Sequence, residues 1–224
     1  MSAPPLTFRL AARIERARLL RWRARAHRLL SFLLRLVVRL EVSGLENIPR
    51  HGPVIFAANH VNSLDLPLFL SVCPRPDFTG TMGDEVRSKP GRLRLVPLFC
   101  EIIFAPRGAR ESVLEGAVRA LERGDLIGIL PEGVCSGTGV MGRAYSGVAH
   151  LSARSGVPVT VGAWHGQEAL ASNLRRLRRT TVRLRIGPAI ALQAATPEQA
   201  REETERLMRT VASMLPAPYR GIYA

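Results

Sequence analysis

The chain has little covalent or metal chemistry to hold it together. Its three cysteines, Cys73, Cys100 and Cys135, are scattered over 224 residues without a CxxC spacing. Neither a disulfide framework nor a zinc site is expected, and a reducing environment suits such a chain. No cluster of His and Cys points to a transition metal, and no metal ligands are assigned. Lysine is nearly absent, Lys89 being the only one among 32 basic residues. Aromatic residues make up 5%, too few for the interleaved basic and stacking surface of a single-strand binder. No apolar run approaches the roughly 20 residues that span a bilayer. The stretch from Leu29 to Leu40 is interrupted by Arg35 and Arg39. No small-residue cleavage site follows the basic start, so no secretory signal is expected.

What is present describes a globular protein. A hydrophobic fraction of 46% and a charged fraction of 22% suit one domain with a real core. The net charge of +14 is unevenly placed. Arg9, Arg13, Arg16, Arg18, Arg21, Arg23, Arg25, Arg28, Arg35 and Arg39 face a single acid, Glu15, within residues 1–40. With the leucines between them they suit a basic amphipathic helix lying in the headgroup region of an anionic membrane surface. A helix packed on the protein's own core is the plainer alternative. Residues 1–40 are therefore expected to be a membrane-associating helical segment and residues 41–224 a separate domain. Nucleic acid is not an expected partner.

Along the second part, strands and helices alternate. Continuous apolar runs at Val54–Ala58, Ile102–Ala105 and Leu126–Leu130 have the pattern of strands buried on both faces. Phe78–Met82 and Val157–Val161 are further strands, Pro158 marking an edge or a special position, and Thr181–Ile186 alternates like a half-exposed strand. Helices are expected at Leu64–Val72, Glu111–Arg123 before Gly124, Ala144–Arg154 before Gly156, and Pro197–Leu215 with Thr196 as N-cap. Residues 84–98 give no clear pattern. The fold class is α/β, a mixed β-sheet flanked by helices.

Three strand ends carry residues with chemistry. Asn59-His60-Val61-Asn62-Ser63-Leu64-Asp65 lies where a buried strand gives way to a helix, the usual place for a site in an open α/β sheet. A histidine is the common general base near neutral pH, and a carboxylate on its other nitrogen fixes the tautomer. Taken alone, the pair also fits a helix-capping aspartate beside a loop histidine. Pro106-Arg107-Gly108 and Pro131-Glu132-Gly133 leave two other strands. There an arginine can bind a phosphate or carboxylate in bidentate fashion. Gly137-Thr138-Gly139-Val140-Met141-Gly142 fits a GxGxxG pattern, but it follows the Pro131-Glu132 turn and no acid lies about twenty residues on, so a dinucleotide site is not expected. No GxSxG elbow is present. Cys135 as a nucleophile is an open minor alternative.

The order of these blocks resembles the glycerolipid acyltransferases of the lysophosphatidic acid acyltransferase (1-acylglycerol-3-phosphate O-acyltransferase) type over roughly residues 42–190. His60 and Asp65 match that family's HX4D box. Phe104-Ala105-Pro106-Arg107, Leu130-Pro131-Glu132-Gly133-Val134-Cys135-Ser136 and Gly156–Val161 match three further blocks. Gly44-Leu45-Glu46-Asn47-Ile48-Pro49 is similar to the family's lead-in. The resemblance implies His60 and Asp65 as the catalytic pair, and Phe104, Arg107, Glu132, Gly133 and Ser136 as acceptor-binding residues. It implies acyl-CoA or acyl carrier protein as donor substrate, no metal or permanent cofactor, and a lipid acceptor met at the cytoplasmic face of the cell membrane. Cys135 and Val134 stand where the family has arginine and threonine, and the family's lysine near Thr81-Met82-Gly83 is missing. A non-phosphate lipid acceptor, a transacylase using another phospholipid as donor, and an inactive membrane lipid-binding protein are the alternative readings.

Overall fold

The computed structural model describes residues 6–83, 95–106 and 110–224, with side chains from Ala12 onward. Among these residues seven strands form one sheet: β1 (Val38–Ser43), β2 (Val54–Ala58), β3 (Phe78–Gly83), β4 (Glu101–Ala105), β5 (Leu126–Ile129), β6 (Val159–His165) and β7 (Thr180–Ile190), in the order β1-β7-β6-β2-β5-β3-β4. All neighbours pair in parallel except β6 and β7. The sheet is thus mixed, as the sequence implied. β2, β3, β4, β5 and β6 end at one common edge, and β2 sits at the centre with all five residues buried. Close packing across the faces leaves no room for side chains at two strand glycines. A Cβ at Gly128 would meet the Phe78 ring at 2.3 Å, and one at Gly162 would meet Phe56 at the same distance.

Helices cover both faces. They are α1 (Leu6–Val37), α2 (Asp65–Leu70), α3 (Val96–Phe99), α4 (Arg110–Glu122), α5 (Gly147–Ser155), α6 (Leu170–Arg175) and α7 (Pro197–Ser213). One core lies beneath α4, α5 and α7 and includes Ile55, Ile127, Leu151, Val161, Leu207 and Met208. The other lies beneath α1 and α2 and includes Phe56, Leu68, Phe78, Trp164 and Leu184. Thr196 caps α7 as expected, its hydroxyl accepting from Gln199 N at 3.1 Å. Gly156 closes α5 with φ of 69°.

Three expectations change. The helix read through residue 40 stops at Val37, and Val38–Ser43 pairs with β7 instead. Consecutive β-branched residues and an available strand edge win over the leucine pattern. β1 therefore straddles residue 40. The strand after Gly156 begins at Val159, after Pro158, and lies between β7 and β2. Pro158 thus marks a strand start and not an edge, and no ladder N–H is lost. Helix α6 had no expectation. Of residues 84–98, only 95–98 fall within the described residues.

Helix α1 is docked on the domain through its polar side chains as well as its leucines. Arg16 pairs with Asp125, Arg23 Nη2 reaches Pro97 O at 3.5 Å, and His27 Nε2 lies 2.8 Å from Phe99 O. Leu30, Leu34 and Val37 pack on the second core. The opposite side exposes Trp22, Leu29, Phe32, Leu33 and Leu36 beside Arg18, Arg21, Arg25, Arg28 and Arg35. No described helix is long and apolar enough to cross a membrane.

The far end of the sheet is tied by a residue that periodicity does not reveal. Arg75 is 2% exposed. It grips Asp77 through Nε at 2.9 Å and Nη2 at 2.7 Å. It also donates to the carbonyls of Pro49, Gly52 and Gly124 at 3.2, 2.6 and 2.5 Å. One planar guanidinium thus staples three turns. Removing one partner of a buried ion pair typically costs 3–5 kcal/mol. Arg75→Ala is accordingly expected to destabilise the fold by about 3–5 kcal/mol in urea unfolding, and a loss under about 1 kcal/mol would show that the staple is dispensable.

Candidate active site

The segment after β2 turns back on one carboxylate. Asn59 fixes its start: its side chain donates to Trp164 O at 3.0 Å and accepts from Trp164 N at 2.8 Å, locking β2 to β6. Asn62 makes the turn, its Oδ1 accepting from Leu64 N at 2.9 Å, an Asx-type device. Asp65 then opens α2 and points back. Its Oδ2 accepts from Val61 N at 2.8 Å and Asn62 N at 3.2 Å, and lies 2.7 Å from His60 Nδ1. Its Oδ1 accepts from Gln167 Nε2 at 3.1 Å and Asn62 N at 3.2 Å. Asp65 is 3% exposed, whereas the His60 side chain is 19% exposed. A carboxylate oxygen accepts, which puts the His60 ring N–H on Nδ1 and leaves Nε2 as the ring's acceptor.

A second buried carboxylate holds the backbone of the same histidine. Glu132, 2% exposed, accepts from His60 N through Oε1 at 2.8 Å and from Gly142 N through Oε2 at 2.8 Å. Burial raises its pKa above the ordinary 4.5, against the two N–H donors that lower it. The loop beyond it is laced to the histidine segment: Ser136 N donates to His60 O at 2.9 Å, and Gly137 N to Val61 O at 2.8 Å. The glycine-rich stretch has its place here. Gly142 presents its N–H to Glu132, and Gly139, with φ of 83°, lies where a Cβ would be 2.9 Å from Tyr219. The C-terminal residues brace this loop, Tyr219 O accepting from Met141 N at 2.9 Å and Tyr219 Oη donating to Glu168 at 2.6 Å.

The predicted residues therefore divide. His60, Asp65, Glu132, Gly133 and Ser136 converge at the ends of β2 and β5. Glu132 has both oxygens occupied by backbone donors. The Gly133 N–H donates to Leu130 O at 3.0 Å, so it is already used within the turn. Ser136 Oγ accepts from Gly139 N at 2.9 Å. Phe104 is half-buried at the end of β4, by the same sheet edge. Arg107 lies outside the described residues. Sequence reasoning missed Gln167, which is 1% exposed and reaches Asp65 from just beyond β6. It lies 102 positions from Asp65, and no local pattern announces it. It also missed the contact of Cys135 Sγ with His60 Nε2 at 3.1 Å. Among the described residues no group of three His, Cys, Asp or Glu side chains is placed to hold a metal ion.

A base aimed by a buried acid, at the edge where parallel strands end, suits proton removal from a hydroxyl or thiol. Residues 39–161, more than half of the chain, match the family described as Acyltransferase. The protein belongs to that acyltransferase family. Among solved structures it is similar in fold to the 1-acyl-sn-glycerophosphate (LPA) acyltransferase PlsC from Thermotoga maritima, with a TM-score of 0.64 and 23% identity over 86% of this chain and 80% of that one.

The burial of Glu132 has a consequence for stability against pH. With a raised folded-state pKa, the native state holds the carboxyl proton more tightly than the unfolded state does. The stability this group contributes is full below the ordinary 4.5 and is lost as pH rises through the raised value. The advantage of wild type over Glu132→Gln in urea midpoint is expected to shrink as pH rises from about 4.5 to 8. An advantage that grows over that range would mean that the two N–H donors outweigh burial.

Proposed function

We propose that the protein is an O-acyltransferase that moves a fatty acyl group from a thioester donor, acyl-CoA or acyl carrier protein, to a hydroxyl of a lysophospholipid or related lipid. The observation that carries this reading is the contact of His60 Nδ1 with the buried Asp65. His60 removes the hydroxyl proton through Nε2 as the oxygen attacks the thioester carbonyl, and returns it to the leaving thiolate. Asp65 orients the ring and stabilises the imidazolium, a general-base contribution of about 10²–10⁴-fold. Glu132 acts through the backbone of His60, setting where the ring begins. Arg107, two positions after the last residue of β4 in the sequence, receives the acceptor's polar headgroup, and Phe104 belongs to the same acceptor site. Neither metal nor permanent cofactor enters the scheme. The likeness to the Thermotoga maritima protein, a 1-acyl-sn-glycerophosphate acyltransferase, favours a glycerolipid acceptor. Cys135, in the loop at His60, favours an acceptor with less phosphate character than that one.

The enzyme works as a peripheral protein on the cytoplasmic face of the cell membrane, docked through α1. Trp22, Leu29, Phe32, Leu33 and Leu36 enter the acyl boundary and the flanking arginines meet anionic headgroups. A groove of about 570 Å³ opens beside this helix, lined by Leu34, Val38, Leu40, Leu68 and Val72 with Arg35, Arg39 and Arg179.

Two measurements follow. Free-thiol release from palmitoyl-CoA with a panel of lyso-lipids is expected to fall about 10²–10⁴-fold in His60→Ala; normal turnover in that variant would end the general-base assignment. Replacing Arg21, Arg28 and Arg35 by glutamate is expected to weaken binding to anionic vesicles at least about 100-fold, at about 1 kcal/mol for each arginine lost at the surface. Undiminished sedimentation with such vesicles would detach α1 from the membrane.

A further inference from the structure

The base of the proposed reaction already has a partner. Cys135 is the exposed one of three free cysteines, and its Sγ is 3.1 Å from His60 Nε2. Because Asp65 accepts from Nδ1 at 2.7 Å, Nε2 is left as an acceptor and the thiol is the donor. A nucleophile, a base and an orienting acid therefore stand in one hydrogen-bonded chain. This is the arrangement that activates a cysteine for acyl transfer. The contact is held by the backbone on both sides. The next two residues, Ser136 and Gly137, donate to His60 O and Val61 O at 2.9 and 2.8 Å. Glu132, three residues before Cys135, accepts from His60 N at 2.8 Å. The thiol sits in a segment laced to the base it touches.

We propose that Cys135 is a further catalytic residue, carrying the acyl group as a thioester between donor and acceptor. The proposal rests on the acyltransferase reading above and replaces direct transfer by two half-reactions. In the first, the Sγ proton passes to Nε2 as sulfur attacks the donor's thioester carbonyl. The carbonyl carbon's bond to the carrier sulfur then breaks, and the carrier leaves as a free thiol with the proton from His60. In the second, His60 takes the acceptor's hydroxyl proton and the oxygen attacks the Cys135 thioester. The bond to Sγ breaks and sulfur recovers the proton. One thioester is exchanged for another and then for an oxygen ester, with no change of oxidation state.

The geometry gives this sequence a reason. While the thiol occupies Nε2, an acceptor hydroxyl reaches the base only by displacing it. Acylation removes the S–H donor and frees Nε2 for the hydroxyl. Partial desolvation, with the nearby Asp65 charge, raises the Cys135 thiol above its ordinary value, so it is protonated near neutral pH and depends on His60 at the moment of attack. Cys73 and Cys100 are pushed up to about 12 by burial and serve as internal controls.

The test uses the full chain with palmitoyl-CoA and no acceptor, quenched in acid and read by intact mass and peptide mapping. Wild type is expected to gain one acyl group, on Cys135, and to lose it when a lyso-lipid is added. His60→Ala is expected to form this adduct at least about 100-fold more slowly. Cys135→Ser keeps a hydrogen-bonding group on His60 but is the weaker nucleophile, and with Cys135→Ala it is expected to lose at least about 100-fold in turnover while unfolding in urea like wild type. Turnover by wild type together with undiminished turnover by both Cys135 variants would overturn this proposal and leave the acyltransferase reading standing. So would an adduct that forms equally fast in His60→Ala or is not discharged by acceptor. Wild type that neither forms an adduct nor releases thiol with any acceptor would overturn both.

Discussion

The site depends on one carboxylate. Asp65 is almost fully buried, and an anion in that position is tolerable only if its lone pairs are filled. Four groups fill them: the N–H groups of Val61 and Asn62, the amide of Gln167 and the ring N–H of His60. Three of these come from the same short segment, so satisfying the carboxylate is the same event as folding the loop. Once the loop is folded, the imidazole has one tautomer and one direction. The geometry of the proposed catalytic pair follows from hydrogen bonding after β2.

Glu132 performs the matching task from the other strand. Its two oxygens clasp His60 N and Gly142 N, joining the end of β2 to the loop that follows β5. Where a motif reading gives this glutamate to the acceptor, its burial and its partners make it a frame for the base. The same clasp explains why the stretch from Gly137 to Gly142 is rich in glycine. The backbone must present an N–H to Glu132 while Tyr219 crosses close above Gly139. The frame also carries Cys135 onto Nε2, so the loop that positions the base determines what meets it.

Much of this was legible in the sequence because the informative contacts are local. His60 and Asp65 are five residues apart and are joined within one turn. The central strands announce themselves as continuous apolar runs because both their faces are buried. The missed features are those made by distant parts of the chain. Gln167 contacts Asp65 from beyond β6, and Arg75 reaches turns at Pro49 and Gly124 that share no local pattern with it. β1 was hidden because its valines continue a helix-like run, and only the edge of β7 makes it a strand.

Helix α1 extends the same economy to the outside. Its inner side uses Arg16, Arg23 and His27 to bind the domain, leaving aromatic, leucine and arginine side chains outward. The central claim, however, is the orientation of His60 by Asp65. It is tested most directly by nitrogen-15 NMR of the histidine rings at about pH 8. The account predicts that His60 carries its proton on Nδ1, with a strongly deshielded signal that disappears in Asp65→Asn, and that Nε2 has the shift of an unprotonated nitrogen. A His60 proton on Nε2, or a ring signal unchanged by Asp65→Asn, would contradict it.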